Sequence, residues 1–151
     1  ALGIWTTCHA GETVGTANLR AALDLCVMRI GHGTHLMEDQ DLLQEVVRRK
    51  VPLEIGISSN VRTKSVRDFE SHPALAFFRA GVPLTLNTDD RGILGISLTH
   101  EYGEAMRLGF TLQELAGLSA ASTNHLFLPS SQRARLRAKF EAEIAAVMRN
   151  Q

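Results

Sequence analysis

A chain of 151 residues, 44% hydrophobic and 21% charged, is long enough for one domain with a real core and has an ordinary globular composition. Sixteen Lys and Arg balance sixteen Asp and Glu, which argues against a nucleic-acid partner, because binding a phosphate backbone takes a basic surface. No apolar run nears the roughly 20 residues of a membrane span, no signal-peptide pattern is visible, and two cysteines without a Cys-x-x-Cys pair fit a reducing compartment, the cytoplasm.

The chain starts at Ala1 and reaches a strand-like run within a few residues, as a segment cut from something longer would. Leu2 to Cys8 is apolar and Thr-rich and predicts a buried strand. Val14, Ala17, Ala21, Ala22 and Leu25 then recur at helical spacing, predicting a helix over 13–26. Met28 to Gly31 is a second short apolar run. Leu42, Leu43, Val46 and Val47 mark a second helix, closed by Arg48, Arg49 and Lys50 where positive charge suits a C-terminus. Pro52 to Ile57 predicts a third strand, and the polar run Ser58 to Ser71 a long loop of the kind that tends to be functional. A helix over 73–80 starts on Pro73 and stops at Gly81, and Val82 to Leu86 is a fourth strand. Beyond Asp90 the pattern is helical. Thr111 and Glu114 form a capping box, and Leu136, Phe140, Ile144 and Val147 make the last helix amphipathic.

Strand–helix alternation of this kind is the signature of a parallel α/β architecture. Four such units amount to half of an eight-stranded (β/α)8 TIM-type barrel, followed here by C-terminal helices. Neither a Gly-x-Gly-x-x-Gly turn nor a Walker loop supports a nucleotide-cradling open sheet. No domain boundary is visible, so residues 1–151 are expected to form a single domain lacking the first half of its barrel.

The chemically loaded residues fall at strand ends, where α/β folds place their sites. His9 and Glu12 stand in His-Ala-Gly-Glu, His32 in Gly-His-Gly, and Asp89 and Asp90 in Asn-Thr-Asp-Asp. A catalytic zinc takes His nitrogens and carboxylate oxygens and keeps one position open for water. His9 and Asp89 suit it as ligands. Glu12 lies three residues from His9, close enough to carry a proton, and His32 can orient or deprotonate a water. Each residue also has an ordinary structural reading. Glu12 would favour a helix N-terminus, and the Asp pair would cap one. Cys8, next to His9, is turned from the pocket by strand alternation. Trp5 is expected to fill space.

With those residues in place the chain resembles the adenosine deaminase family of metal-dependent (β/α)8 enzymes, in its C-terminal half. The resemblance is carried by Thr7-Cys8-His9-Ala10-Gly11-Glu12, Arg29-Ile30-Gly31-His32-Gly33, Ser59-Asn60-Val61-Arg62-Thr63 and Leu86-Asn87-Thr88-Asp89-Asp90. It implies that His9 and Asp89 bind zinc and that Glu12 protonates the purine nitrogen beside the reacting carbon. It implies further that His32 holds and helps deprotonate the attacking water, that Asp90 hydrogen-bonds the imidazole side of the purine, and that Gly11 contacts substrate. The implied reaction adds water at C6 and releases ammonia, with no organic cofactor.

The chain departs from that family where it has no His-x-His, the source of two more zinc ligands. His32 and His35 are three apart, and His72, His100 and His125 read as loop or helix residues. Arg91-Gly92 follows the Asp pair where many members have Pro, and Arg91 could reach a ribose or phosphate. Three readings stay open: a segment of an adenosine deaminase that is inactive alone, a deaminase of adenine nucleotides or N6-substituted adenines, and a non-catalytic half-barrel. The expected partners are a purine nucleoside and, for the open edge strands, the missing half-barrel or a second copy.

Overall fold

The structure, a computed structural model, describes residues 4–13 and 15–149. Ala1, Leu2 and Val14, which entered the expectations above, lie outside the described residues. Two compact units meet in sequence between Phe110 and Thr111.

The first unit is a four-stranded sheet in the order β1 (Thr7–Ala10), β2 (Arg29–His32), β3 (Leu53–Ile55), β4 (Leu84–Leu86), all neighbours parallel. Between the strands come α1 (Ala17–Asp24), a 3-10 turn (Thr34–Glu38), α2 (Gln40–Arg49), α3 (Ile57–Arg62) and α4 (Ala74–Arg79). After β4 come α5 (Arg91–Leu94) and α6 (Leu98–Arg107). This is the parallel half-barrel that the alternation predicts.

Register explains the division of labour across the sheet. Cys8, Ile30, Leu53 and Leu84 are paired across the four strands, and so are His9, Gly31, Glu54 and Thr85 one residue later. Side chains alternate along a strand, so the first row and the second lie on opposite faces. The first face is apolar: Ile30, Leu53 and Leu84 are buried and Cys8 half-buried, and burial pushes the Cys8 thiol pKa up. Fully burying one such aliphatic side chain contributes roughly 1.5–3 kcal/mol. The second face carries the polar row and faces the site.

Local signals set the helix ends. Asp39 accepts from the Leu42 N–H at 3.0 Å as the N-cap of α2. Leu42, Leu43 and Val46 are the buried stripe of that helix, and Lys50 ends it in the left-handed region. The helix expected over 13–26 is shorter, spanning Ala17–Asp24, and from its first turn the Asn18 side chain accepts from the Gly11 N–H at 3.0 Å.

The expected long loop after the third strand is a correction: the strand ends at Ile55 and a helix, α3, occupies Ile57–Arg62. Ile, Ser, Asn and Val are weak helix formers, so propensity pointed elsewhere. Tertiary structure supplies what the local sequence lacks. Glu101 of α6 is fully buried and accepts from the Ser58 N–H at 3.1 Å, placing a carboxylate at the start of α3. Trp5 is a second correction, since it is 45% exposed and fills no core.

The second unit contains α7 (Leu112–Ser122), a 3-10 turn (Thr123–His125) and α8 (Ser130–Met148). The capping box is present: Thr111 Oγ1 accepts from the Glu114 N–H at 3.2 Å, and Glu114 accepts from the Thr111 N–H at 2.8 Å. The apolar stripe of α8 is only partly covered, with Leu136 and Ile144 half-buried and Phe140 and Val147 exposed. Among the described residues no helix is long and apolar enough to cross a membrane.

Candidate active site

His9 is in the polar row of β1, and its register partner is Gly31. The pairing requires a glycine. A Cβ at position 31 would come within 2.5 Å of His9 Cδ2, closer than Cβ atoms approach in real structures. The bare Gly31 backbone is thus the floor on which the His9 imidazole rests.

His32 would point with Ile30 to the apolar face if alternation continued. It does not, because the His32 backbone is left-handed, with φ of 69°. Among the described residues five non-glycines share that conformation. Cys26, Lys50 and Lys64 follow helix ends, where it is common, and the other two are His32 and Asp89 (φ 53°). Backbone strain of this kind costs on the order of 1 kcal/mol and clusters at functional sites. Here it turns two chemically active side chains out of the strand pattern at the strand tips.

His32 Nε2 then lies 3.2 Å from His9 Nδ1 and 3.4 Å from Glu12 Oε2, with the two rings edge-on at 4.6 Å between centroids. Donor atoms of His9, Glu12 and His32 all fall within 4.8 Å of one another. Burial pushes the His32 pKa below the usual histidine range, and His9 adds to that; Glu12 most strongly, then Asp89 and Glu54, pull the other way.

Asp89 lines the same cavity, about 450 Å³, with His9, His32, Glu54, Asn87 and Arg91. Its Oδ2 accepts from Ser59 Oγ at 2.5 Å. Gly56 packs beside it, 3.4 Å separating the place of a Cβ there from the Asp89 and Ser59 Cβ atoms, an ordinary van der Waals contact. Glu54 is held at the cavity wall by Arg29 Nε at 3.0 Å and Thr7 Oγ1 at 2.6 Å.

Two expected site residues stand apart from this group. Asp90 Oδ1 accepts from the Ile93 N–H at 2.9 Å and caps α5, and Asp90 is not in the cavity wall. Both polar backbone atoms of Gly11 are engaged within the fold: its N–H donates to Asn18, and its carbonyl accepts from Thr34 Oγ1 at 2.8 Å and the His35 N–H at 3.2 Å. Contact between Gly11 and a substrate is left to its Cα.

The donor chemistry fits a divalent metal. His9, His32 and the Asp89 carboxylate line one cavity, and a Glu12 carboxylate oxygen lies within 4.8 Å of both imidazoles. Arg91 also lines a neighbouring hollow of about 590 Å³ with Arg62, Ser97 and His100.

Sequence reading missed Ser59, Asn60 and His72 as individual actors. His72 and Asn60 are buried, His72 Nε2 is 3.2 Å from Asn60 Oδ1, and Asn60 Nδ2 is 2.9 Å from His32 Nδ1. Ser59 and Asn60 stood in a quoted motif, but no periodic signal links His72 to the site.

A family model described as adenosine deaminase matches residues 1–143. The chain is 39% identical over 148 residues to the aminodeoxyfutalosine deaminase of Streptomyces coelicolor, covering 97% of this chain and 38% of that one. It is 38% identical over 133 residues to the adenosine deaminase of Aliivibrio fischeri, covering 87% and 40%. Among solved structures, the adenine deaminase from Arthrobacter aurescens superposes with a TM-score of 0.88 at 31% identity, over 95% of this chain and 44% of that one. The N6-methyl-AMP deaminase from Arabidopsis thaliana gives 0.82 at 31% identity, over 91% and 41%. The chain spans about two-fifths of the length of the curated relatives it matches.

Proposed function

The chain belongs to the adenosine deaminase family, and from that premise we propose that the protein carrying it hydrolytically deaminates adenosine to inosine and ammonia. The observation that carries the reading is the convergence of His9, Glu12 and His32 within 4.8 Å beside the Asp89 cavity, at the ends of parallel strands. His9 and Asp89 are the residues that would hold zinc. When bound, the metal supplies the Lewis acidity that makes a water nucleophilic near neutral pH.

The chain's own side chains do the rest. Gly31 and Ser59 fix the two ligands, His9 from beneath and Asp89 by a hydrogen bond. His32 holds the attacking water. Glu12 gives a proton to the purine nitrogen next to the reacting carbon. Asp90 keeps one carboxylate oxygen for the imidazole side of the purine while the other caps α5. Two ligands are fewer than the usual three, so the 151-residue chain by itself is inactive. The remaining ligands come from a partner segment that pairs with the outer edges of β1 and β4, the end strands of the sheet. The two free cysteines support a cytoplasmic setting.

Adenosine and zinc are mixed with the longer protein and, separately, with this chain, and the ultraviolet change to inosine is followed. Turnover by the longer protein that disappears in Glu12→Gln is expected. A longer protein without turnover refutes the reading, and ordinary enzymatic turnover by the chain alone refutes the claim that it is incomplete.

A second reading, an adenine nucleotide or N6-substituted adenine as substrate, is favoured by one observation. Arg91 joins the site cavity to a hollow lined by Arg62 and His100, a suitable place for a phosphate. If it holds, Arg91→Ala raises KM for AMP and N6-methyl-AMP and leaves adenosine unchanged. Equal effects on all three remove its motive.

A further inference from the structure

The side chains behind His32 form a directional hydrogen-bond chain that begins at a backbone amide. The Ala74 N–H donates to His72 Nδ1 at 3.1 Å. A backbone N–H can only donate, so Nδ1 accepts, and in the neutral ring the single proton is on Nε2. His72 is neutral near pH 7, because burial pushes its pKa down to about 4. Its Nε2 faces Asn60 Oδ1 at 3.2 Å, so Nε2–H donates to that oxygen. The Asn60 amide cannot be turned over without setting N–H against N–H. The amide nitrogen of Asn60 therefore faces His32 Nδ1, at 2.9 Å, and donates to it. With Nδ1 accepting, a neutral His32 carries its proton on Nε2, the atom nearest Glu12 and His9.

All three side chains are buried, with Asn60 at 0%, His32 at 3% and His72 at 5% exposure. Each donor that lost its acceptor there would go unsatisfied. The direction of the chain is thus imposed from Ala74 inward.

We propose that Asn60 and His72 are positioning residues that fix His32 as its Nε2–H tautomer, so that the site meets an N–H donor at that point. The consequence for catalysis rests on the deaminase reading above. A water held by this donor offers its lone pair to His32 and its protons elsewhere, so a neutral His32 orients the water and does not deprotonate it.

The test needs neither substrate nor metal. The full chain, labelled with nitrogen-15 in its histidine rings and freed of metal by chelation, is read by two-bond proton–nitrogen correlation at pH 7, which separates the two tautomers ring by ring. Nε2–H is expected for both His32 and His72. Asn60→Asp sets an acceptor against His32 Nδ1 and is expected to place a proton there. His72→Phe frees the Asn60 amide to turn and is expected to mix the His32 tautomers, and His72→Gln, which keeps an amide donor for Asn60 Oδ1, restores Nε2–H. An Nδ1–H His32 in the unaltered chain overturns the proposal, and that spectrum decides even if a variant does not fold. A His32 that stays purely Nε2–H in both folded Asn60→Asp and folded His72→Phe also overturns it. An inactive longer protein whose His32 is Nε2–H would sink the deaminase reading and leave this one standing.

Discussion

Acidification should destabilise this protein well before its carboxylates are protonated, and His72 supplies much of the effect. The ring is 5% exposed and contacts the Asn60 amide and the Ala74 N–H. Burial lowers its pKa from 6.5 to about 4. Between those values the unfolded chain takes up a proton that the folded chain does not, so stability rises with pH across that window. The contribution is intact above pH 6.5 and is lost as pH falls toward 4. At 1.36 kcal/mol per pH unit, a fall from 6.5 to about 4 amounts to about 3 kcal/mol. That is a large share of the 5–15 kcal/mol typical of folded domains. Urea unfolding at several pH values between 7 and 4 would measure it, with His72→Gln as the reference because glutamine keeps an N–H for Asn60 and does not titrate. The unaltered chain is expected to lose about 3 kcal/mol more than the variant over that range. Parallel curves would refute the reasoning. His32 is also shifted downward by burial and acts in the same direction in both proteins, so it cancels in the comparison.

Gly31→Ala sets a methyl group 2.5 Å from the His9 ring; zinc affinity is expected to fall about 10–100-fold while circular dichroism is retained, as measured by competitive chelator titration. Ser59→Ala removes the hydrogen bond to Asp89 Oδ2 and is expected to cost about 10-fold in the same titration, with unaltered affinity counting against Asp89 as a ligand. Glu101→Ala deletes a fully buried side chain and its bond to the Ser58 N–H; a loss of about 2–4 kcal/mol in urea unfolding is expected. Thr111→Ala breaks the capping box of α7 and should cost about 1 kcal/mol by the same assay.

The strand tips that carry the candidate site residues were legible because they combine short-range signals. His9, Glu12, His32 and Asp89 each end or follow a short apolar run, and parallel α/β folds put chemistry at that end. The interior behind them was not legible. Ser59 meets Asp89 across 30 residues of sequence, Asn60 meets His32 across 28, and Glu101 meets Ser58 across 43. Periodicity reports which face of an element is buried and says nothing about which polar atoms meet across such distances.

Thus the sequence by itself determined the alternation of parallel strands and helices, the capping box at Thr111, the family, and the residues that reach the strand ends. Tertiary structure decided how those residues are aimed. It set His9 on the bare backbone of Gly31, turned His32 and Asp89 by left-handed backbone, gave one oxygen of Asp90 to capping α5, and made a helix of the segment that reads as a loop. The physical reason is that composition and period fix burial, a property of each residue and its near neighbours. Direction, hydrogen-bond partner and tautomer arise only when elements distant in sequence close around one another.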